Sequence, residues 1–182
     1  DDFGKALIGI CLNCAFGAGE IGQWKTSDIQ LKHAHPDADK LNFSSTDSDS
    51  WVVGVRHKNG VYGEHILFDE VVESIQPFLD GREVLPMRST GKPWFDPTSK
   101  NPQSYFSNWW YRLLDRVQKE DPDFPRLAFG SLRDTLPNTL RAKFSPETAS
   151  MALHHGEAGN GDDLLKCYSN TPFGMLFEAT RE

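Results

Sequence analysis

Arg133, His155 and Tyr168 follow one another in SLRDT, ALHHGE and LLKCYSN, thirty-five residues separating the arginine from the tyrosine and thirteen the histidine from it. A guanidinium, an imidazole and a phenol are a set that could carry out nucleophilic chemistry at a phosphate. A tyrosine hydroxyl, with a pKa of about 10, is a poor nucleophile at neutral pH, so it needs positive charge at the phosphate and a route for its proton. An arginine supplies that charge in a planar fork able to bind a phosphate through two parallel hydrogen bonds. No other tyrosine lies in the last seventy residues. Taken singly, each residue also has a structural account. Arg133 next to Asp134 could form a surface ion pair, His154 and His155 could cap a helix C-terminus, and the Tyr168 ring could pack on Leu164 and Leu165.

Other patterns carry less. Cys11-x-x-Cys14 has no second CxxC, and both thiols fall on the apolar face of a helix, so core packing accounts for them better than zinc or redox chemistry. His33-x-His35 lies in a polar stretch and could hold a metal only adventitiously. Gly17-Ala18-Gly19 lacks both the preceding strand and the remainder of a dinucleotide fingerprint.

The elements that would position these groups can be read from periodicity. Apolar residues at Phe3, Ala6, Leu7, Ile10, Cys11, Cys14 and Ala15 predict a helix with one buried face, ended by the glycines of FGAGEIG. Residues 33–50 read as a polar loop. Trp51 to His57 and Val61 to Phe68 predict two strands joined at Asn59-Gly60, a hairpin turn that puts Lys58 at the tip, able to reach outward. Asp69 to Leu79 and Asn101 to about Lys119 read as helices, the second with a stripe of Phe106, Trp109, Trp110, Leu113, Leu114 and Val117. Leu127 to Phe144 predicts a helix kinked or divided at Pro137; Pro146 to His154, Asp162 to Tyr168 and Phe173 to Ala179 predict three shorter ones.

In this order the segments resemble the catalytic domain of the tyrosine recombinases, the phage-integrase family that cuts and rejoins DNA through a phosphotyrosine. KALIGICLNCAFGAGEIGQWKTSDI resembles the family's opening helix, turn and tryptophan-containing lead into the sheet. WVVGVRHKNGVYGEHILFDEVVESI resembles its hairpin with a lysine in the turn, then a helix that starts at an acidic pair. VLPMRSTGKPWFD resembles its short strand and Arg/Lys-Gly-Pro loop, so the likeness spans nearly all 182 residues.

The resemblance implies a mixed, mainly α fold with a small antiparallel β-sheet, the DNA breaking-rejoining enzyme fold. It implies one catalytic-like domain over residues 1–182, with the N-terminal core-binding domain absent from this chain. By the same resemblance Tyr168 would form a 3′-phosphotyrosine, Arg133 would bind the scissile phosphate, and His155 would hydrogen-bond that phosphate or assist proton transfer. Lys58 would protonate the leaving 5′ oxygen, and Glu20 would support the site from behind. Lys92, Arg88 and Arg56 are expected to contact DNA. Neither metal nor cofactor is required.

The chain departs from the family pattern at two positions. Gly17 stands where the first catalytic arginine is usual, and Gly130 opens GSLR where the family reads His-x-x-Arg. The interval from His155 to Tyr168 is also longer than usual, with Gly156, Gly159 and Gly161 forming the extra loop, which is expected to be mobile. Arg56 and Lys25 are candidates to restore the missing charge. Two functions follow: a site-specific recombinase or integrase, or a degenerate recombinase-fold protein that binds DNA or regulates without cleaving it. An unrelated soluble domain with a coincidental motif order is the third reading, and convergence of the site residues on one cleft separates it from the others.

Composition sets bounds. A chain of 20.5 kDa with 38% hydrophobic residues can bury one sizeable core. It has no apolar run long enough for a membrane span and no leader pattern, and its three cysteines suggest a reducing compartment, with cytoplasm the default. The net charge of −7 opposes DNA binding, since affinity for a polyanion comes largely from Lys and Arg. The charge is uneven, however: residues 86–143 carry 10 basic and 6 acidic side chains, so a local basic cleft is expected there. The resemblance implies double-stranded DNA as partner, self-association on that DNA and a source in a phage or other mobile element; no membrane is expected.

Overall fold

In a computed structural model, residues 2–56, 60–85, 90–154 and 173–182 are described. Helix α1, Asp2–Cys14, buries Ala6, Leu7, Ile10, Cys11 and Cys14 on the face its periodicity marks. A short helix α2, Ala18–Ile21, follows, then a two-residue strand β1, Ile29–Gln30, and a single-turn helix α3, Ala38–Leu41. Strands β2, Trp51–Arg56, and β3, Val61–Ile66, pair antiparallel from Trp51 opposite Ile66 to Arg56 opposite Val61. Since β1 joins the outer edge of β2, the sheet has three antiparallel strands in the order β1-β2-β3.

Helix α4, Asp69–Ile75, packs on α1. Helix α5, Ser104–Glu120, has Phe106, Trp110 and Leu114 buried at helical spacing. After it come a 3-10 segment, Phe129–Asp134, then α6, Thr135–Lys143, α7, Pro146–Ala152, and a C-terminal helix, Phe173–Arg181. The expected fold class, mainly helical with a small antiparallel sheet, is the one observed.

Alternation along β2 feeds two hydrophobic clusters, because successive side chains point to opposite faces of a sheet. Val52 belongs to a cluster built on α1, α4 and α5, while Trp51 and Ile66 join one built on α6, α7 and the C-terminal helix. Asn13 ties α1 to the end of the sheet: fully buried, it donates from Nδ2 to the Ile66 carbonyl at 3.0 Å and accepts from the Phe68 amide at 2.9 Å.

Two expectations change. The division expected at Pro137 falls earlier, between the 3-10 segment and Thr135, and Pro137 is the third residue of α6. A first-turn residue has no intrahelical partner for its amide, so proline costs nothing there. The polar stretch 33–50 is not merely a solvated loop. His35 is 5% exposed, and its Nε2 lies 2.8 Å from Glu64 Oε2 on β3, which occupies the imidazole expected at most to take up stray metal. Among the described residues no group of three or more His, Cys, Asp or Glu is arranged to hold a metal, and no helix is long and apolar enough to cross a membrane.

Candidate functional site

Helix α2 with its flanking residues, the 3-10 segment, α5, the end of β2 and the C-cap of α7 surround a cleft of about 760 Å³. Its charged lining is Arg56, Arg133, Glu20 and Asp134, and Gly17 and Gly130, far apart in sequence, line the same cleft.

Local structure fixes each side chain. Gly17 is the N-cap of α2 with φ −85° and ψ 177°, and its amide donates to Glu20 Oε2 at 3.1 Å, holding the carboxylate at the rim. Arg133, the penultimate residue of the 3-10 segment, donates from a terminal nitrogen to the Leu153 carbonyl at 3.2 Å. Arg56, the last residue of β2, donates to the same carbonyl at 3.3 Å. Leu153 caps the C-terminus of α7, where the carbonyls lack helical partners and the helix dipole favours cations. Glu20 Oε1 is 3.8 Å from Arg56 Nε, and among the described residues neither Arg56 Nε nor Arg133 Nε, both buried, has a hydrogen-bond partner. Burial first, then the neighbouring Arg133, lowers the Arg56 pKa from its ordinary value against the opposing pull of Glu20.

No protein-family model matches this sequence, and no curated protein matches it. Solved structures do. The chain superposes on lambda integrase, in a tetramer bound to a Holliday junction, with a TM-score of 0.56 and 13% identity over 88% of this chain and 43% of that one. It superposes on the integrase of transposon Tn1549, in complex with transposon right-end DNA, with a TM-score of 0.58 and 14% identity over 97% of this chain and 56% of that one. The fold is that of a tyrosine recombinase catalytic domain. The chain spans about half the length of these two integrases.

Within this recombinase fold, Arg133, Glu20 and Arg56 come together in the cleft. Lys58, His155, Tyr168 and Arg88 lie outside the described residues, as do the expected helix at 162–168 and the glycine-rich loop before it. Lys92 is exposed and is not part of the cleft lining. Of the two candidate replacement cations, Arg56 is beside Arg133, whereas Lys25 lines a neighbouring cleft of about 250 Å³ that shares Glu20 and Gln23. The cleft's charged lining is balanced, two arginines against Glu20 and Asp134, rather than uniformly basic; Asp134 is exposed and so strongly screened by water.

His154 lies just past the C-cap of α7, packed into the interior. It is 3% exposed, has φ 51°, and stacks on His65 with Nε2 to Nε2 at 2.9 Å. Gly63 makes room for it, since a Cβ there would sit 2.1 Å from His154 Nε2. Cys11 and Cys14 are free and buried, and burial pushes the Cys11 thiol up to about 12, so both stay protonated as packing groups.

Sequence reasoning missed two parts of the site. The Leu153 carbonyl carries no signal, because every residue has one. The other is the edge of α5, where Ser107 and Tyr111, one turn apart, line the cleft next to Trp110 of the buried stripe.

Proposed function

We propose that this chain is the catalytic-like domain of a site-specific DNA recombinase or integrase, which binds double-stranded DNA and holds a backbone phosphate in the Arg133 cleft. Strand cleavage and rejoining would run through a 3′-phosphotyrosine on Tyr168, with His155 and Lys58 in the roles the resemblance implies. Lys92 and Arg88 would contact the flanking backbone, and further copies would assemble on the same DNA. The observation that carries the reading is the meeting of Arg133, Glu20, Gly17 and Gly130 in one cleft of a recombinase-type fold.

A second reading, a DNA-binding or regulatory protein of the same fold without cleavage, is favoured by a specific observation. Gly17 and Gly130 both face the cleft, and neither supplies a charge or a hydrogen-bonding side chain. Loss of one preorganised donor from a developing anion costs roughly 10² to 10³ in rate. Loss of an arginine from a phosphoryl site costs roughly 10³ to 10⁵.

Incubation with a nicked suicide duplex, scored for covalent protein–DNA adduct, separates the two. Slow adduct formation by the parent that disappears in Tyr168→Phe supports the recombinase. Duplex binding with no adduct at any time supports the second reading, and adduct that persists in Tyr168→Phe removes Tyr168 as the nucleophile.

A further inference from the structure

We propose that Arg56 and Arg133 form a two-arginine seat for a single phosphate group, with the sheet supplying the guanidinium that α2 does not supply at Gly17. The proposal rests on the DNA-phosphate reading above and assigns Arg56 to the phosphate that Arg133 holds, not to the flanking backbone.

Four observations support it. The two guanidiniums come from distant elements, the end of β2 and the 3-10 segment before α6, yet converge on one acceptor, the Leu153 carbonyl, at 3.3 and 3.2 Å. Each guanidinium carries five N–H donors, and among the described residues each has one hydrogen bond, with both Nε atoms buried and unpartnered. Two cations side by side repel, and a buried charge is costly unless paired and hydrogen-bonded. The carboxylates facing them do not meet that need: Glu20 is 3.8 Å from Arg56 Nε and is already bonded to the Gly17 amide, while Asp134 is exposed.

Geometry also favours a tetrahedral oxyanion. A phosphate presents several acceptor oxygens, so two planar forks can each engage it, whereas the Leu153 carbonyl offers one oxygen to both. The Arg56 side chain is 11% exposed and held between Glu20 and Leu153, so few rotamers remain to be ordered on binding. Its place on the last residue of a strand paired in register with β3 fixes it further. Lys25, the other candidate cation, opens onto the neighbouring cleft instead.

The test is a titration of the whole chain with inorganic phosphate, followed by the arginine Nε–H resonances in NMR and assigned with Arg56→Lys and Arg133→Lys. Both side chains should respond with one shared dissociation constant. Arg56→Gln should weaken the Arg133 response by about tenfold or more, as expected for loss of a charge-assisted hydrogen bond. Arg56→Lys, which keeps the charge and loses the fork, should recover only part of it. A parallel titration with a short duplex should show weaker binding by Arg56→Gln with a salt slope reduced by less than about one, since Arg133 still neutralises the shared phosphate.

A phosphate response at Arg133 that is unchanged in Arg56→Gln overturns the proposal, as does the absence of any response. Duplex binding by Arg56→Gln with the parent's affinity and salt slope also overturns it while leaving the DNA reading intact. A shared phosphate response in a protein that binds no duplex sustains the two-arginine seat and removes the DNA reading.

Discussion

At the scale of single residues, the two glycines of the cleft are open positions. Gly17 has an ordinary extended backbone, and a Cβ there would meet only the end of the flexible Glu20 side chain at 3.0 Å; a Cβ at Gly130 would meet nothing within 4 Å. Neither backbone lies in the left-handed region that favours glycine. Gly130→His, at an exposed position, should therefore fold with a stability change of about 0.5 kcal/mol or less, whereas Gly17→Arg, which sets a third guanidinium at a buried position beside Arg56 and Arg133, should cost about 1–3 kcal/mol. Gly130→His should raise adduct formation on the nicked duplex by roughly 10² to 10³, the value of one restored donor at the developing anion. Gly17→Arg should raise it less, because Arg56 already supplies the second guanidinium. Equal gains from the two substitutions in a single-turnover assay would count against that role for Arg56.

At the scale of elements, the junction between α1 and the sheet is the point where one side chain does most. Asn13→Ala strips the partner from the buried Ile66 carbonyl and from the Phe68 amide, and should cost about 1–3 kcal/mol. A urea titration should show a lower midpoint with an unchanged slope. Junctions of this kind separate what is legible in sequence from what is not. The β2–β3 hairpin, α1 and the C-terminal helix are visible because each writes its own period or turn into adjacent residues. Strand β1 has two residues and thus no period, and the start of α6 depends on a turn rather than on its proline. The Glu64 partner of His35 lies 29 residues away on another element, so no local pattern could have revealed it. The family resemblance pointed to Arg133 and Glu20, and both line the cleft. The Leu153 carbonyl, on which two arginines converge, was not legible, since backbone groups do not vary with sequence.

At the scale of the whole molecule, the sheet lies between two apolar clusters, and the stacked pair of His65 and His154 is buried beside it with the Phe16 ring. Burial, then the charge of His154, pushes the His65 pKa well below the ordinary 6.5. Below that ordinary value the unfolded chain takes up a proton that the folded protein refuses. Stability should accordingly be full near pH 7 and fall as the pH drops from about 6.5, by up to ~1.4 kcal/mol per pH unit. Thermal denaturation from pH 7.5 to 5 should show this slope, and His65→Gln should flatten it. The acidic balance of the chain bears on its partner in the same global way. The five cations assigned to DNA, Arg133, Arg56, Lys92, Lys58 and Arg88, reach at most about four phosphates because Arg133 and Arg56 share one, which allows a salt slope no steeper than about −3.6. Anisotropy of a labelled duplex between about 50 and 200 mM salt measures it, and a steeper slope would require a basic surface elsewhere.

The open space at Gly17 and Gly130 has a consequence in the genetic code. Every glycine codon is one base away from an arginine codon, but no glycine codon is one base away from histidine. The change expected to help less, arginine at position 17, is thus within reach of a point mutation. The change expected to help more, histidine at position 130, must pass through arginine or aspartate, and the aspartate would set a third carboxylate beside Glu20 and Asp134. A randomly mutated library selected for strand cleavage should yield arginine substitutions long before histidine at 130, and the quiet state of the site would be preserved by codon distance as much as by its chemistry.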